Sequence, residues 1–206
     1  MIRIVLSLLV LLATGIPVHR EYTEPSIDQI LNELNLARTD PAQYASFLKE
    51  RRVHYKGKRY DMGGGTALMT NEGVSALDEA IRFLEKAKPV GPLKFSDDLS
   101  EVAMELVMAN GPTGRTSHES AGGMTFKDRV EKRGWGETSL GEDLCFGPAD
   151  PREIVVQLII DDGVRSRGHR KNIFHPGFKV VGIACGPHRD YGTMCAIDFA
   201  GGFKPR

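Results

Sequence analysis

The chain has 206 residues, of which 41% are hydrophobic and 26% are charged, as is typical of a single folded domain with a sizeable core. Lysine and arginine together number 27, as do aspartate and glutamate, so the formal net charge is zero. Because the charges are also spread along the chain, neither nucleic acid nor an anionic membrane is an expected partner.

The beginning of the chain predicts an export signal. A positive charge precedes an apolar run over residues 4–13, which is short for a membrane span, and small residues follow it as a cleavage site requires. We expect residues 1–18 to be a signal peptide, cleaved somewhere within 15–20, and residues 24–206 to form the domain. A membrane anchor or a first strand is the alternative interpretation. No later stretch is apolar enough to cross a membrane, so the mature protein is expected to be secreted, or periplasmic in a bacterium.

Helices are predicted from their N-terminal signals. Four polar residues are placed as N-caps before segments with apolar residues at helical spacing: Ser26, Asp40, Ser96 and Asp150. Proline follows both aspartates at the first helical position. Residues 75–86 predict a further helix. Residues 154–160 (IVVQLII) are also compatible with a buried strand, but the cap and proline before them favour a helix.

Strands are predicted late in the chain. Residues 179–184 and 193–199 are β-like runs on either side of a turn-rich stretch, which predicts a hairpin, and residues 140–146 predict a third strand. Residues 53–73, with three consecutive glycines, are expected to form a long loop. Helices first and strands later favour an α+β sandwich over a parallel sheet.

The predicted hairpin would place Cys185 and Cys195 opposite each other. Export permits a disulfide there, but the sequence does not give the Cα separation, so a bridge and two free thiols both stay open. Cys145 is left over and is expected to be a free, buried small residue.

Spacing alone says little about chemistry. The chain has no HExxH, CxxC, phosphate-binding glycine loop or GxSxG motif. His118 and His169 stand in polar stretches, where an isolated histidine is more often structural than a ligand.

Several motifs together resemble the CAP superfamily, which includes cysteine-rich secretory, venom allergen and pathogenesis-related proteins. Residues 167–174 (RGHRKNIF), 176–178 (PGF) and 181–184 (VGIA) resemble its GHRxNI signature and the strand that follows it. Residues 141–144 (GEDL) resemble its GEN motif, and residues 117–120 (SHES) resemble its early histidine motif. The N-terminal helix motif NxxR has its counterpart in NLAR, and the likeness extends from about Ser26 to Phe203.

This resemblance implies a three-layer α-β-α sandwich with a central antiparallel sheet. It also implies a surface cleft containing two histidines and two acids, which here would be His118, His169, Glu142 and Asp162. Asp161 is the neighbour that could replace Asp162 in this role.

Other residues of the motifs would support the cleft: Gly168, Arg170, Asn172 and Asp143. Asp143 stands where the family has Asn, so a second acid lies beside Glu142 and repulsion is expected to raise one carboxyl pKa unless a cation balances it. If Gly168 adopts a positive φ, Gly168→Ala is expected to disturb the approach to His169.

The implied function is a secreted binding module. The two histidines could donate directly to Zn²⁺, with the acids orienting the rings and water completing the coordination. A small apolar ligand such as a sterol or lipid, or an extracellular protein, is the other expected partner. Because no nucleophile or oxyanion hole can be identified, we do not assign an enzymatic activity. A peptidase-like hydrolase that uses the same groups is one alternative, and a structural or adhesive protein is another.

Overall fold

The computed structural model describes residues 24–206, and the predicted signal peptide at residues 1–18 lies outside them. The elements in chain order are α1 (Ile27–Thr39), α2 (Pro41–Arg51), β1 (Tyr55–Lys56), β2 (Arg59–Gly63), β3 (Thr66–Met69), α3 (Val74–Lys86), β4 (Lys94–Phe95), α4 (Asp97–Asn110), α5 (Phe126–Arg133), β5 (Gly134–Phe146), α6 (Pro151–Ile160), α7 (Gly168–Ile173), β6 (Val180–His188) and β7 (Gly192–Pro205). None of the helices within these residues combines the length and apolar character needed to cross a bilayer.

The capping residues begin helices where the sequence predicts them. The side chains of Ser26, Asp40, Ser96 and Asp150 each accept a hydrogen bond from the backbone N–H three residues later. These bonds satisfy donors that the first turn of a helix otherwise leaves unpaired. The β-branched segment 154–160 lies within α6, so the helical interpretation is confirmed.

The main sheet has the strand order β4-β6-β7-β5, with β5 at one edge. The pairs β6–β7 and β5–β7 are antiparallel as predicted, whereas the two-residue β4 pairs in parallel with β6. Along β7, Cys195, Ile197 and Phe199 belong to the core cluster formed with α1, α2, α3 and α6. Met194 and Ala196 instead pack with residues of α4. This period-two alternation buries both faces of the sheet under helices, and the three-layer α-β-α sandwich follows.

The segment expected to be a long loop is instead a small second sheet of order β1-β2-β3. Gly63, Gly64 and Gly65 have positive φ values and form the tight connection between β2 and β3. Polar and apolar residues alternate too weakly here for strands to be read from the sequence. Helices α5 and α7 were not predicted either, although Thr125 and Asp128 form a complete capping box at the start of α5.

The three cysteines lie side by side in the main sheet. A disulfide joins Cys185 on β6 to Cys195 on β7, where the two residues are direct register partners. Cys145 lies opposite Cys195 on the other neighbouring strand, β5. It is buried and free, its Sγ is 2.7 Å from Gln157 Oε1, and burial raises the pKa of its thiol.

Candidate functional site

His118 lies in the loop between α4 and α5 and contacts the edge strand β5. Its Nδ1 is 2.8 Å from Glu142 Oε1, and the ring is 56% exposed whereas the Glu142 side chain is 2% exposed. The other oxygen of Glu142 accepts from the guanidinium of Arg129 on α5, which is fully buried. Arg129 also donates to the backbone oxygen of His118 at 3.0 Å, so it holds both members of the pair. We call His118, Glu142 and Arg129 the His118 half of the site.

His169 is the second residue of α7 and pairs with Asp161 at the end of α6. Asp161 Oδ1 lies 2.7 Å from His169 Nδ1, and Asp161 Oδ2 accepts from the His169 backbone N–H at 3.0 Å. The Asp161 side chain is 1% exposed and the His169 ring is 24% exposed. We call His169, Asp161 and the segment 161–168 the His169 half of the site.

The prediction of Asp162 as a cleft acid is therefore corrected. Its two oxygens accept from the backbone N–H groups of Asn71 and Glu72, at 2.5 and 2.7 Å. The physical reason is the backbone of Asp161, which ends α6 in the left-handed region at φ 54. This turn directs the side chains of two neighbouring aspartates to different partners.

Asp143 and Asn172 connect the two halves. Asn172 on α7 donates to Asp143 Oδ1 at 2.7 Å, and Asp143 directly follows Glu142 on β5. Burial raises the pKa of Asp143 well above its ordinary value, and the charges of Asp161 and Glu142 act in the same direction, although His169 and Asn172 oppose them. The expected rise in a carboxyl pKa is present, but burial rather than repulsion is its main cause.

The edge position of β5 explains how both halves contact the same strand. Leu144, two residues after Glu142, packs with the α4 layer, whereas Cys145, two residues after Asp143, packs in the core beneath α6. Because side chains alternate along a strand, Glu142 and Asp143 face opposite layers. His118 therefore contacts Glu142 from the α4–α5 side of the strand. Asn172 of α7, the helix that carries His169, contacts Asp143 from the other side.

Burial and neighbouring charges both shift the pKa of His169. Burial of the His169 ring disfavours its charged form, but the hydrogen bond that the ring donates to Asp161 and the charge of the neighbouring Asp143 outweigh this and raise the pKa of His169. Both rings use Nδ1 on a carboxylate, which leaves each Nε2 as the free ring nitrogen.

The supporting residues of the GHR motif have structural contacts. Arg170 is buried and donates to the carbonyl of Ile159 at 2.6 Å and to Glu79 at 2.7 Å, so it fastens α7 to α6 and α3. Gly168 is not among the residues with positive φ, and a Cβ placed on it would meet only Ser166 Oγ, at 3.5 Å. The premise of the predicted Gly168→Ala disturbance is therefore removed.

Sequence reasoning missed a further acid at this site, Asp198 on β7. It is the direct register partner of Glu142 and is fully buried. Burial and the adjacent Glu142 raise the pKa of Asp198 well above its ordinary value. Arg129 was missed as well. The capping box could have predicted its helix, but nothing in the sequence indicates that this arginine meets Glu142.

The side chains of the site can be compared with the ligands that a zinc ion requires. Among residues 24–206, no group of three or more His, Cys, Asp or Glu side chains is arranged to bind a metal. The oxygens of Glu142 and Asp161 are occupied by the contacts described above, so the chain offers two Nε2 atoms and oriented rings. This fits a metal held by two imidazoles and completed by water, with modest affinity. Zinc stays a prediction.

Comparison with known proteins now identifies the family. Residues 31–199 match the profile of CAP, the Cysteine-rich secretory protein family. The chain belongs to this family. Comparison with curated proteins found no match.

The CAP chain is also similar, distantly, to three solved structures. An extracellular protein containing an SCP domain from Bacillus anthracis is 20% identical with a TM-score of 0.44, and the match covers 62% of this chain and 39% of that one. An outer surface protein from Borrelia burgdorferi is 19% identical with a TM-score of 0.46, covering 57% and 80%. A cysteine-rich secretory protein from Staphylococcus aureus is 15% identical with a TM-score of 0.42, covering 69% and 46%. The chain thus spans less than half of the Bacillus and Staphylococcus proteins.

Proposed function

We propose that this CAP domain is an extracellular binding module whose His118 and His169 hold a divalent metal ion such as Zn²⁺. One observation carries the proposal: each imidazole gives its Nδ1 to a buried carboxylate, 2.8 Å from Glu142 and 2.7 Å from Asp161. A carboxylate in this position fixes the tautomer of the ring and makes its other nitrogen a better metal ligand.

Calorimetry with ZnCl₂ and protein purified without a histidine tag tests the proposal. We expect modest affinity, abolished by His118→Ala or His169→Ala, and weaker at lower pH because the metal competes with protons for imidazole. Asp161→Asn is expected to weaken binding about 10- to 100-fold, as the loss of a residue that orients a ligand does. His175→Ala is the matched control, since this exposed histidine packs on Phe178 and accepts from Gly177 N–H. Equal binding by all four variants would exclude the metal site.

The small apolar ligand also remains a proposal, and a panel of sterols and lipids offered to the same protein tests it. Binding that survives the histidine substitutions would place that ligand elsewhere on the domain. An extracellular location is proposed from the family and the predicted signal peptide; a secretion assay with and without residues 1–18 tests it.

The hydrolase alternative lacks support from the flanking serines. Ser117 Oγ accepts from Glu119 N–H at 3.1 Å, and Ser120 Oγ accepts from Met124 N–H at 3.2 Å, so both hydroxyls serve their own loop. A peptidase activity lost together in His118→Ala and Glu142→Ala would nevertheless favour the hydrolase over the binding module.

A further inference from the structure

The segment 161–168 holds the His169 half in an unfavourable backbone conformation. Asp161 and Arg167, at its two ends, have φ values of 54 and 51, and they are the only non-glycine residues among 24–206 with positive φ. Side chains with a Cβ rarely adopt this region, and arginine lacks the short polar side chain with which Asn and Asp compensate for it. Such conformations persist where surrounding contacts impose them, often next to a functional site.

Those contacts come from the connection between β3 and α3 and from α3 itself. Asp162 accepts from the N–H groups of Asn71 and Glu72, and Glu72 in return accepts from the Gly163 N–H at 2.9 Å. We call this reciprocal set the clasp, formed by Asn71, Glu72, Asp162 and Gly163. It joins the chain leaving β3 to the turn that follows α6.

Arg167 closes the segment from its other end. Its guanidinium contacts both oxygens of Glu72 at 2.7 and 2.8 Å, and Glu79 on α3 at 2.9 Å. It also donates to the backbone oxygens of Asp161 and Val164, at 2.8 and 3.1 Å, within its own segment. Arg167 and the Gly163 N–H lower the pKa of Glu72 to about 2, so this carboxylate stays ionised at neutral pH.

We propose that Asp162 and Arg167 are positioning residues, which hold Asp161 against His169 by fastening segment 161–168 to Glu72 and Glu79. Neither side chain contacts a histidine ring; they act through the backbone that orients Asp161. The connection between β3 and α3, far along the chain from either histidine, thereby becomes part of what orders the site. The positioning role depends on the proposed metal site only in the experiment that measures metal affinity.

The first test uses metal-free full-length protein and nitrogen-15 NMR of the histidine rings. In the wild type we expect His169 to be fixed with its proton on Nδ1, facing Asp161. Asp162→Asn, Glu72→Gln and Arg167→Asn each weaken the clasp or its closure, and asparagine tolerates the left-handed backbone of position 167. We expect each to mix the tautomers of His169 while the ring signals of His118 stay in place.

Asp78→Asn is the matched control for these variants. Asp78 lies next to Glu79 on the same helix, and its ion pair with Arg52, at 2.7 Å, does not touch segment 161–168. It should leave both rings unchanged. A thermal melt identifies any variant that fails to fold, and the other two then carry the test. Unchanged His169 signals in folded clasp variants would overturn the inference.

Zinc affinity separates this inference from the proposed function. If zinc binds, the clasp variants should bind it about tenfold more weakly, toward the lower end of the effect of losing an orienting residue. Zinc binding with equal affinity in wild type and clasp variants would refute the positioning role and leave the metal site intact. Absence of zinc binding together with altered His169 tautomers would refute the metal site and leave the positioning role intact.

Discussion

Each half of the site contains the same kind of contact, an imidazole Nδ1 against a buried carboxylate. The two halves differ in the groups that hold the carboxylate in place. In the His118 half, the carboxylate of Glu142 is held by a fully buried arginine that also holds the histidine backbone. In the His169 half, the carboxylate of Asp161 is held by the backbone of segment 161–168, which partly exposed ion pairs fasten to α3 and to the connection that precedes it. The same imidazole–carboxylate pair is thus stabilised once by interior charge and once by imposed backbone geometry.

This difference indicates which substitutions should disrupt each half of the site. A buried charge tolerates no loss of its partner, because the remaining charge cannot be solvated. Surface ion pairs each contribute little to global stability, so changes around segment 161–168 should alter the orientation of His169 more than the folding of the domain.

Arg129→Met is expected to have the largest effect on stability. It should lower the free energy of unfolding by about 3–5 kcal/mol, since it leaves Glu142 as a buried charge without its cation. Urea denaturation of wild type and variant measures the difference. Arg133→Met on the same helix is the control: it removes partly exposed ion pairs with Glu101 and Glu105 and should cost less than about 1 kcal/mol. Equal losses for both would mean that the His118 half does not depend on interior charge.

Asp143→Asn tests the residue that connects the halves. An aspartate in the unfolded chain ionises near pH 4, as a rough reference. Asp143 in the folded chain ionises at higher pH because burial raises its pKa. Between those two pKa values the folded state keeps a proton that the unfolded chain has lost, so the wild type loses stability as the pH rises.

The asparagine variant has no such proton to lose. The free energy of unfolding of the variant, relative to that of the wild type, should therefore increase from about pH 4 upward. The total increase should be about 1.4 kcal/mol for each unit by which folding raises the pKa of Asp143. Urea denaturation across this pH range gives the difference curve. Asp198→Asn should follow the same trend, because burial also raises the pKa of Asp198. A difference that does not change with pH would contradict the raised pKa of Asp143.

Gly168→Ala should have the smallest effect. A Cβ at this position meets only ordinary contacts, so we expect a change of less than about 0.5 kcal/mol in the free energy of unfolding and unaltered His169 ring signals. Gly182→Ala is the contrasting glycine, because its Cβ would lie 2.2 Å from the backbone carbon of Leu99 and must displace α4. We expect it to cost about 1–3 kcal/mol by overpacking. A large effect at Gly168 would show that the glycine, rather than Arg167, carries the constraint on this segment.

Much of the scaffold could be predicted because its signals are local. A cap such as Asp150 followed by proline satisfies helix donors within one turn, so it identifies α6 even though the segment is β-branched. The nearly continuous buried runs along β6 and β7 record burial on both faces of the sheet. The small second sheet was missed because its side chains are mostly exposed and no core imposes an apolar pattern on them.

The sequence by itself determined the family, the helix starts and the late strands, because motifs and periodicity are properties of neighbouring positions. It predicts His118, His169 and Glu142 as site residues for the same reason. Only the tertiary structure decided that Asp161 and not Asp162 meets His169, since a left-handed turn at the end of α6 separates two adjacent, chemically identical side chains. It also decided that Arg129 and Asp198 surround Glu142, because strand register and helix packing bring together residues far apart in the chain. Contacts of that kind depend on three-dimensional packing, which no local pattern of residues records.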